Sequence, residues 1–173
     1  MLSPHATTLP RLEGIDLRYS PHPRKADTFR YAFDIYLKDS NAYTNTYFSR
    51  YFEWQGVCRE RWFHQCISAD MLQSLGVFIT KRAHTEYLQE TYPFQEVHCE
   101  MNTWDVRHCS FYLLFRFVVG GTLAAAGYQQ IVFASADKRI QRLPAHVLER
   151  IREYEVASDD VSGLVRAPQG TPA

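Results

Sequence analysis

Apolar and polar residues alternate at the start of the patterned region. Phe29, Tyr31, Phe33, Ile35 and Leu37 interleave with Arg30, Ala32, Asp34, Tyr36 and Lys38. That period of two predicts a strand. A polar stretch at residues 39–45 breaks it, and Thr44, Asn45 or Thr46 offers a short side-chain oxygen to cap a following helix. From Tyr47 the spacing changes: Tyr51, Trp54, Cys58 and Trp62 recur every three or four positions, and Phe48, Phe52 and Phe63 widen the apolar stripe. The pattern predicts a long helix with most of its girth covered by other structure. Gly56 falls inside it, at a cost of ~1 kcal/mol relative to Ala. A sheet or a partner helix pressing on the backbone would account for a glycine there.

Residues 77–88, 94–107, 109–119 and 122–135 all read as strands, with Phe111, Leu113, Phe115, Phe117 and Val119 alternating in the third. Gly120 and Gly121 give a two-residue hairpin signal before the last. Residues 143–154 read as a terminal helix, with Pro144 acceptable in its first turn. The order is one strand, one long helix, then four strands in meander, an α+β domain in which a five-stranded antiparallel sheet wraps a helix. Residues 1–28, with four prolines, are expected to form an extended or flexible arm, residues 29–154 the domain, and residues 155–173 a disordered tail.

Composition narrows the class. The 173 residues suit one domain with a real core, and 46% hydrophobic and 22% charged residues are ordinary for a globular protein. Nineteen basic and nineteen acidic side chains cancel, so no basic stripe points to nucleic acid. No apolar run approaches the ~20 residues that cross a bilayer, and the first residues lack a secretory pattern. A cytoplasmic protein with no membrane and no nucleic-acid partner is expected. Cys58, Cys66, Cys99 and Cys109 form no CxxC pair, and read as free thiols. His64, His84, His98 and His108 share no helix face at ligand spacing, so no metal is expected. His98–Cys99 and His108–Cys109 are adjacent on strands and point to opposite faces, which argues against a Cys–His nucleophile.

The candidate chemistry lies in residues 39–63. A helix start carries unpaired N–H groups and partial positive charge, suited to a developing oxyanion. The backbone donors of Tyr47 and Phe48 stand at that position. Asn41 in the preceding loop can orient water or a carbonyl but cannot take a proton as a carboxylate would. Arg59, inside the helix, is always charged and can stabilise an anionic oxygen. Each residue also has a plainer reading. Asn41 can close an Asx-turn, and Arg59 can be an interface or surface charge paired with Glu60 or Glu53. Tyr51 reads better as packing than as a catalytic group. Glu60, next to Arg59 on the helix, is expected to face another direction.

The motif D-x-N-x-x-x-N-x-Y-F at residues 39–48, the helical stretch W-Q-G-x-C-R-E at residues 54–60, and the four strands that follow resemble the hotdog-fold acyl thioesterases. The closest likeness is to the 4-hydroxybenzoyl-CoA thioesterase-like group, and within it to the thioesterases of enediyne polyketide pathways. Many hotdog thioesterases have a catalytic Asp at the position of Asn41; the enediyne group has Asn there and an Arg matching Arg59. The resemblance implies a hotdog fold and Asn41 and Arg59 as catalytic residues. It further implies an oxyanion hole from the Tyr47 and Phe48 backbone, and substrate contacts from Tyr51 and Thr44. The family commonly has Gly where this chain has Thr44, so loop shape and acyl specificity depart from the pattern.

The activity so implied is release of a polyketide (polyene-type) chain from an acyl carrier protein or carrier domain, in a homo-oligomer (dimer or tetramer), with no cofactor. Pantetheine leaves as a stable thiolate, so a strong base is dispensable. Two alternatives stay open. One is an acyl-CoA thioesterase of general metabolism; the other is a catalytically idle hotdog protein that binds acyl chains, which Asn in place of Asp keeps in play.

Overall fold

The computed structural model describes residues 26–69 and 76–157. Of the expected arm (residues 1–28) and tail (residues 155–173), residues 1–25 and 158–173 lie outside the described residues. Strand β1 (Phe29–Asp34) leads through a 3-10 turn (Leu37–Asp39) and a loop into helix α1 (Ser49–Trp62). A π turn (Phe63–Ile67) extends α1. Four strands follow, β2 (Val77–Tyr87), β3 (Glu96–Trp104), β4 (Ser110–Val119) and β5 (Thr122–Ala134), and then helix α2 (Ala145–Arg152). The sheet is five-stranded and antiparallel throughout, in the order β1-β3-β4-β5-β2, with α1 packed against one face. This is the expected α+β arrangement of one long helix against one sheet.

Alternation in β4 builds the core. Phe111, Leu113, Phe115 and Phe117 join Tyr51, Trp54, Cys58 and Trp62 of α1 in one buried cluster. Tyr112 and Leu114 point the other way, against Ala126, Tyr128, Ala26 and Val156. The π turn has a packing consequence. Its wider winding lets Trp62, Phe63 and Ile67 all be buried, with the Phe63 ring 4.5 Å from Phe78 and the Trp62 ring 5.5 Å from Tyr154. Burying side chains of this size contributes about 1.5–3 kcal/mol each. The Trp62 indole nitrogen is buried with no hydrogen-bond partner among the described residues.

Several boundaries differ from the pattern-based ones. β1 ends at Asp34 because Asp39 draws the chain into a turn: its carboxylate accepts the Tyr36 N–H at 2.9 Å, and its own N–H donates to the Tyr36 carbonyl at 2.9 Å. β3 starts at Glu96, since Phe94 (φ 71°) turns the chain just before it. The folded body also reaches slightly beyond residues 29–154. Asp27 N–H donates to the Glu153 carbonyl at 2.8 Å, Val156 N–H donates to the Thr103 carbonyl at 2.9 Å, and Ala26 and Val156 are buried.

The expected cap is absent. α1 begins at Ser49 with Phe48 before it and no side-chain cap. Thr46 spends its hydroxyl on the Thr91 carbonyl and Asn45 its amide nitrogen on Glu90, so these residues dock the loop on the segment before β3. Gly56 meets no pressing neighbour: a Cβ built there has nothing within 4 Å. The close approach lies instead at Gly127 on β5, where a Cβ would strike the His84 carbonyl and the Gln55 amide.

Candidate active site

The loop before α1 is shaped by its own polar groups. Asn41 Oδ1 accepts the Tyr43 N–H at 2.8 Å, the Asn41 carbonyl accepts the Thr44 N–H at 3.0 Å, and Asn41 N–H donates to the Asn45 carbonyl at 3.0 Å. This is the Asx-turn of the plainer reading. It leaves Nδ2 as the side chain's uncommitted donor among the described residues. The turn puts Thr44 at φ 68°, in the left-handed region. A β-branched residue there carries roughly 1–2 kcal/mol of strain that glycine would not. Asp39, almost fully buried, anchors the whole loop, with Arg50 Nε 3.4 Å from its Oδ1.

The helix start offers less than the sequence suggests. Tyr47 N–H donates to the Asp39 carbonyl at 2.8 Å, so it is not available to an oxyanion. The reason is tertiary: the 3-10 turn swings the Asp39 carbonyl back under Tyr47. Phe48 N–H has no acceptor among the described residues. Its carbonyl takes the Tyr87 hydroxyl at 2.9 Å. Tyr51 belongs to the core, at 3% exposure, with its ring edge-on to Trp54, Tyr87 and Phe117. Its hydroxyl lies 2.8 Å from Thr91 Oγ1, which in turn donates to Thr46 Oγ1 at 2.7 Å. Burial pushes the Tyr51 pKa up, partly countered by the Thr91 bond. The side chain holds the helix to the loop and presents no surface to a substrate.

Arg59 occupies a different setting. Nη1 donates to Thr80 Oγ1 on β2 at 2.7 Å and to Gln129 Oε1 on β5 at 3.0 Å. Burial lowers its pKa, with nearby Glu60 opposing that shift. Among the described residues it forms no ion pair; Glu53, one expected partner, is taken by Arg50 at 2.6 Å. Nε and Nη2 donate to no protein acceptor among the described residues. Arg59 lines a cavity of about 520 Å³ walled by Phe63, Phe78, Phe111 and Ile131. Glu60 and His64 line it as well, so Glu60 is nearer this space than its place beside Arg59 on the helix suggests.

The structure does not bring Asn41 and Arg59 together within one chain. Arg59 lies ten residues after Ser49, roughly 15 Å along the axis at ~1.5 Å per residue. Two residues that the sequence reading passed over stand beside Arg59. Gln55, one helical turn earlier on the same face, is fully buried, and Gln129 is 5% exposed. The buried Gln129 amide that meets the arginine, and Gln55 behind it, are visible only once β5 is laid under α1. The i, i+4 spacing of Gln55 and Arg59 was the available signal.

Cysteine chemistry finds no support in the geometry. Cys58 and Cys99 are fully buried, all four thiols are free, and burial pushes the Cys99 pKa well up, away from thiolate. No helix among the described residues is long and apolar enough to cross a membrane.

The fold recurs among solved structures. A dynemicin thioesterase, whose crystal structures describe induced-fit and allosteric effects on polyene binding, is 23% identical with TM-score 0.69. The alignment covers 76% of this chain and 99% of that one. A thioesterase of Thermus thermophilus, complexed with coenzyme A and Zn, is 26% identical with TM-score 0.64 over 71% and 96%. A 1,4-dihydroxy-2-naphthoyl-CoA thioesterase from Synechocystis is 14% identical with TM-score 0.64 over 72% and 96%. No curated protein matches the chain in sequence. With residues 35–151 matched by the family's sequence profile, the chain belongs to the thioesterase-like superfamily.

Proposed function

We propose that this protein hydrolyses an acyl thioester, releasing a polyene-type polyketide chain from an acyl carrier protein. The observation that carries the reading is Arg59. It is a half-buried guanidinium with no carboxylate partner among the described residues, two of its nitrogens uncommitted, beside a cavity walled by aromatic and aliphatic side chains. Such a group is suited to the charge that appears when water adds to a thioester carbonyl. In the proposed step a C–O bond forms, the carbonyl oxygen becomes anionic, and the C–S bond then breaks with the electron pair leaving on sulfur. The proton lost by water ends on the thiolate or in solvent. Arg59 would hold the anionic oxygen or the leaving thiolate, Asn41 Nδ2 would orient the water or the carbonyl, and the Phe48 N–H would supply a further donor. Each donor aimed at an oxyanion is worth ~3 kcal/mol of barrier.

The separation of Asn41 from Arg59 within one chain fits a site shared by two copies. β2 is an eleven-residue edge strand, mostly exposed and unpaired on its outer side. Beside it stand exposed Phe48, just before α1, and on α1 exposed Phe52 and the open backbone of Gly56. Two copies joined edge to edge at β2, about a two-fold axis perpendicular to the strand, would run their helices antiparallel, setting the Asn41 end of one against the Arg59 end of the other. Light scattering should show a dimer or tetramer at micromolar concentration; a monomer would remove the shared site.

The second reading, an acyl-CoA thioesterase, is favoured by the similarity to the coenzyme A-bound Thermus protein. Thiol release measured on the same acyl group carried by an acyl carrier protein and by coenzyme A decides between them. A kcat/KM at least tenfold higher on the carrier protein is expected. Preference for coenzyme A would select the second reading, and no thiol release from either would leave a binding protein.

A further inference from the structure

The Arg59 guanidinium is the end of a buried chain of amides. Gln55 Nε2 donates to the His84 carbonyl at 3.1 Å and to Thr85 Oγ1 at 2.9 Å. Gln129 Nε2 donates to Gln55 Oε1 at 3.2 Å, and Gln129 Oε1 accepts from Arg59 Nη1 at 3.0 Å. We propose that Gln129, oriented by Gln55, is a positioning residue that fixes the Arg59 guanidinium at the cavity.

The direction of the relay is set at one end. A backbone carbonyl only accepts, so the His84 carbonyl obliges Gln55 to point Nε2 at β2 and Oε1 at Gln129. Gln129 must then answer with Nε2, which leaves its Oε1 facing Arg59. Turning either amide over would set N–H against N–H. With Thr80 holding the second Nη1 hydrogen from β2, two strands pin one nitrogen and leave Nε and Nη2 with no other acceptor among the described residues. Gly127 supplies an independent observation. A side chain there would overlap the His84 carbonyl and Gln55 Nε2, so β5 is cut back where the relay passes.

Stability alone does not call for this pair, because replacing both partners of a buried hydrogen bond by apolar groups of the same shape can be nearly neutral. The pair does serve a cation that needs an acceptor without losing its charge to a carboxylate. A Glu at 129 would supply that acceptor but neutralise the site; a neutral amide does not.

The inference rests on the thioesterase reading, and its test is built to fail separately from that reading. In Gln129→Met, near-isosteric and apolar, kcat should fall about tenfold or more with KM within about twofold. In an Arg59→Ala background the same substitution should change kcat less than twofold, because Gln129 would act only through Arg59. Equal losses in both backgrounds would overturn the proposal. An activity-independent measurement runs beside it: the rate at which phenylglyoxal modifies Arg59, followed by peptide mass spectrometry. Release from Gln129 should raise that rate at least threefold, and an unchanged rate overturns the anchoring. Gln55→Met should reproduce both effects more weakly, and it carries the test if Gln129→Met does not fold. If the unaltered protein releases no thiol from any thioester, the proposed function falls and the modification rate alone decides the relay.

Discussion

At its start, α1 meets a loop whose polar groups are mostly spent on one another; at Arg59, the same helix keeps a cation mostly unspent. Asn41 Oδ1, the Tyr47 N–H, the Thr46 hydroxyl and the Asn45 amide nitrogen each have a partner within the loop or on its docking segment. What remains there among the described residues is neutral and small: the Asn41 Nδ2 donor, the Phe48 N–H and the buried Asn45 Oδ1 acceptor. At the other end a charged group is held at a single nitrogen by neutral acceptors. Shape is specified at one end and charge at the other. A hydrolytic site needs both, since a carbonyl must be held in one orientation while negative charge develops on it.

Replacing the charge should therefore cost more than replacing the loop group. Arg59→Ala is expected to lower kcat/KM on the order of 10²-fold to 10³-fold, the range for a lost oxyanion donor. Arg59→Lys keeps the charge but loses the planar multi-donor head and cannot meet Thr80, Gln129 and substrate together, so most of the activity should go with it. Circular dichroism and light scattering must show both variants folded and assembled. A folded Arg59→Ala protein that works at the parent rate would refute the charged end of the comparison.

At the loop end Asn41→Ala removes a donor and the Asx-turn at once, and a loss of about 10²-fold or less is expected on kcat/KM. Asn41→Asp separates these roles, because a carboxylate oxygen still accepts the Tyr43 N–H and so keeps the turn. It also supplies a base that could take a proton from water. Steady-state kinetics should place Asn41→Asp well above Asn41→Ala. If the two fall together, the Nδ2 donor is what the loop contributes, and the turn is secondary.

The strands and α1 were legible because their burial follows a local period. Phe111, Leu113, Phe115 and Phe117 alternate, and Tyr51, Trp54, Cys58 and Trp62 recur at helical spacing, as the folded core requires. The Asx-turn was also readable, since Asn41 makes it with residues two and three positions on. The groups that escaped depend on distant chain. Nothing near Tyr47 in sequence reports that the Asp39 carbonyl will reach its N–H, and Gln129 meets Arg59 across 70 positions. Gly56 drew attention as a helix glycine, while Gly127, inside an apolar strand, is one that a neighbouring side chain and backbone require.

A smaller effect probes the strain in the loop. Thr44 has φ 68°, where glycine is at ease, so Thr44→Gly should stabilise the fold by about 1 kcal/mol, less the entropy that glycine adds to the unfolded chain. Thermal unfolding should rise by a few degrees at most. A fall of several degrees would mean that the threonine side chain holds the loop by contacts outweighing its backbone strain.

The smallest expected effect is that of pH, and it follows from the same contrast. Asn41 does not titrate. Burial lowers the Arg59 pKa, but an arginine starts so far above neutrality that it stays charged at pH 8. For a cation whose folded pKa is depressed, the unfolded chain binds the proton more tightly. The resulting penalty is constant at all pH values below the folded pKa and eases only as pH rises through it. Tyr51 has the opposite sign: its raised pKa contributes stability that is present below about pH 10 and is lost above it. Neither group changes state between pH 6 and 8, so kcat/KM should vary less than about twofold across that range. A bell with an essential group titrating near pH 6 would hand the chemistry to His64 or Glu60, which line the same cavity. The helix would then carry its acid–base group beside its cation, and the contrast between a shaped end and a charged end would no longer describe the site.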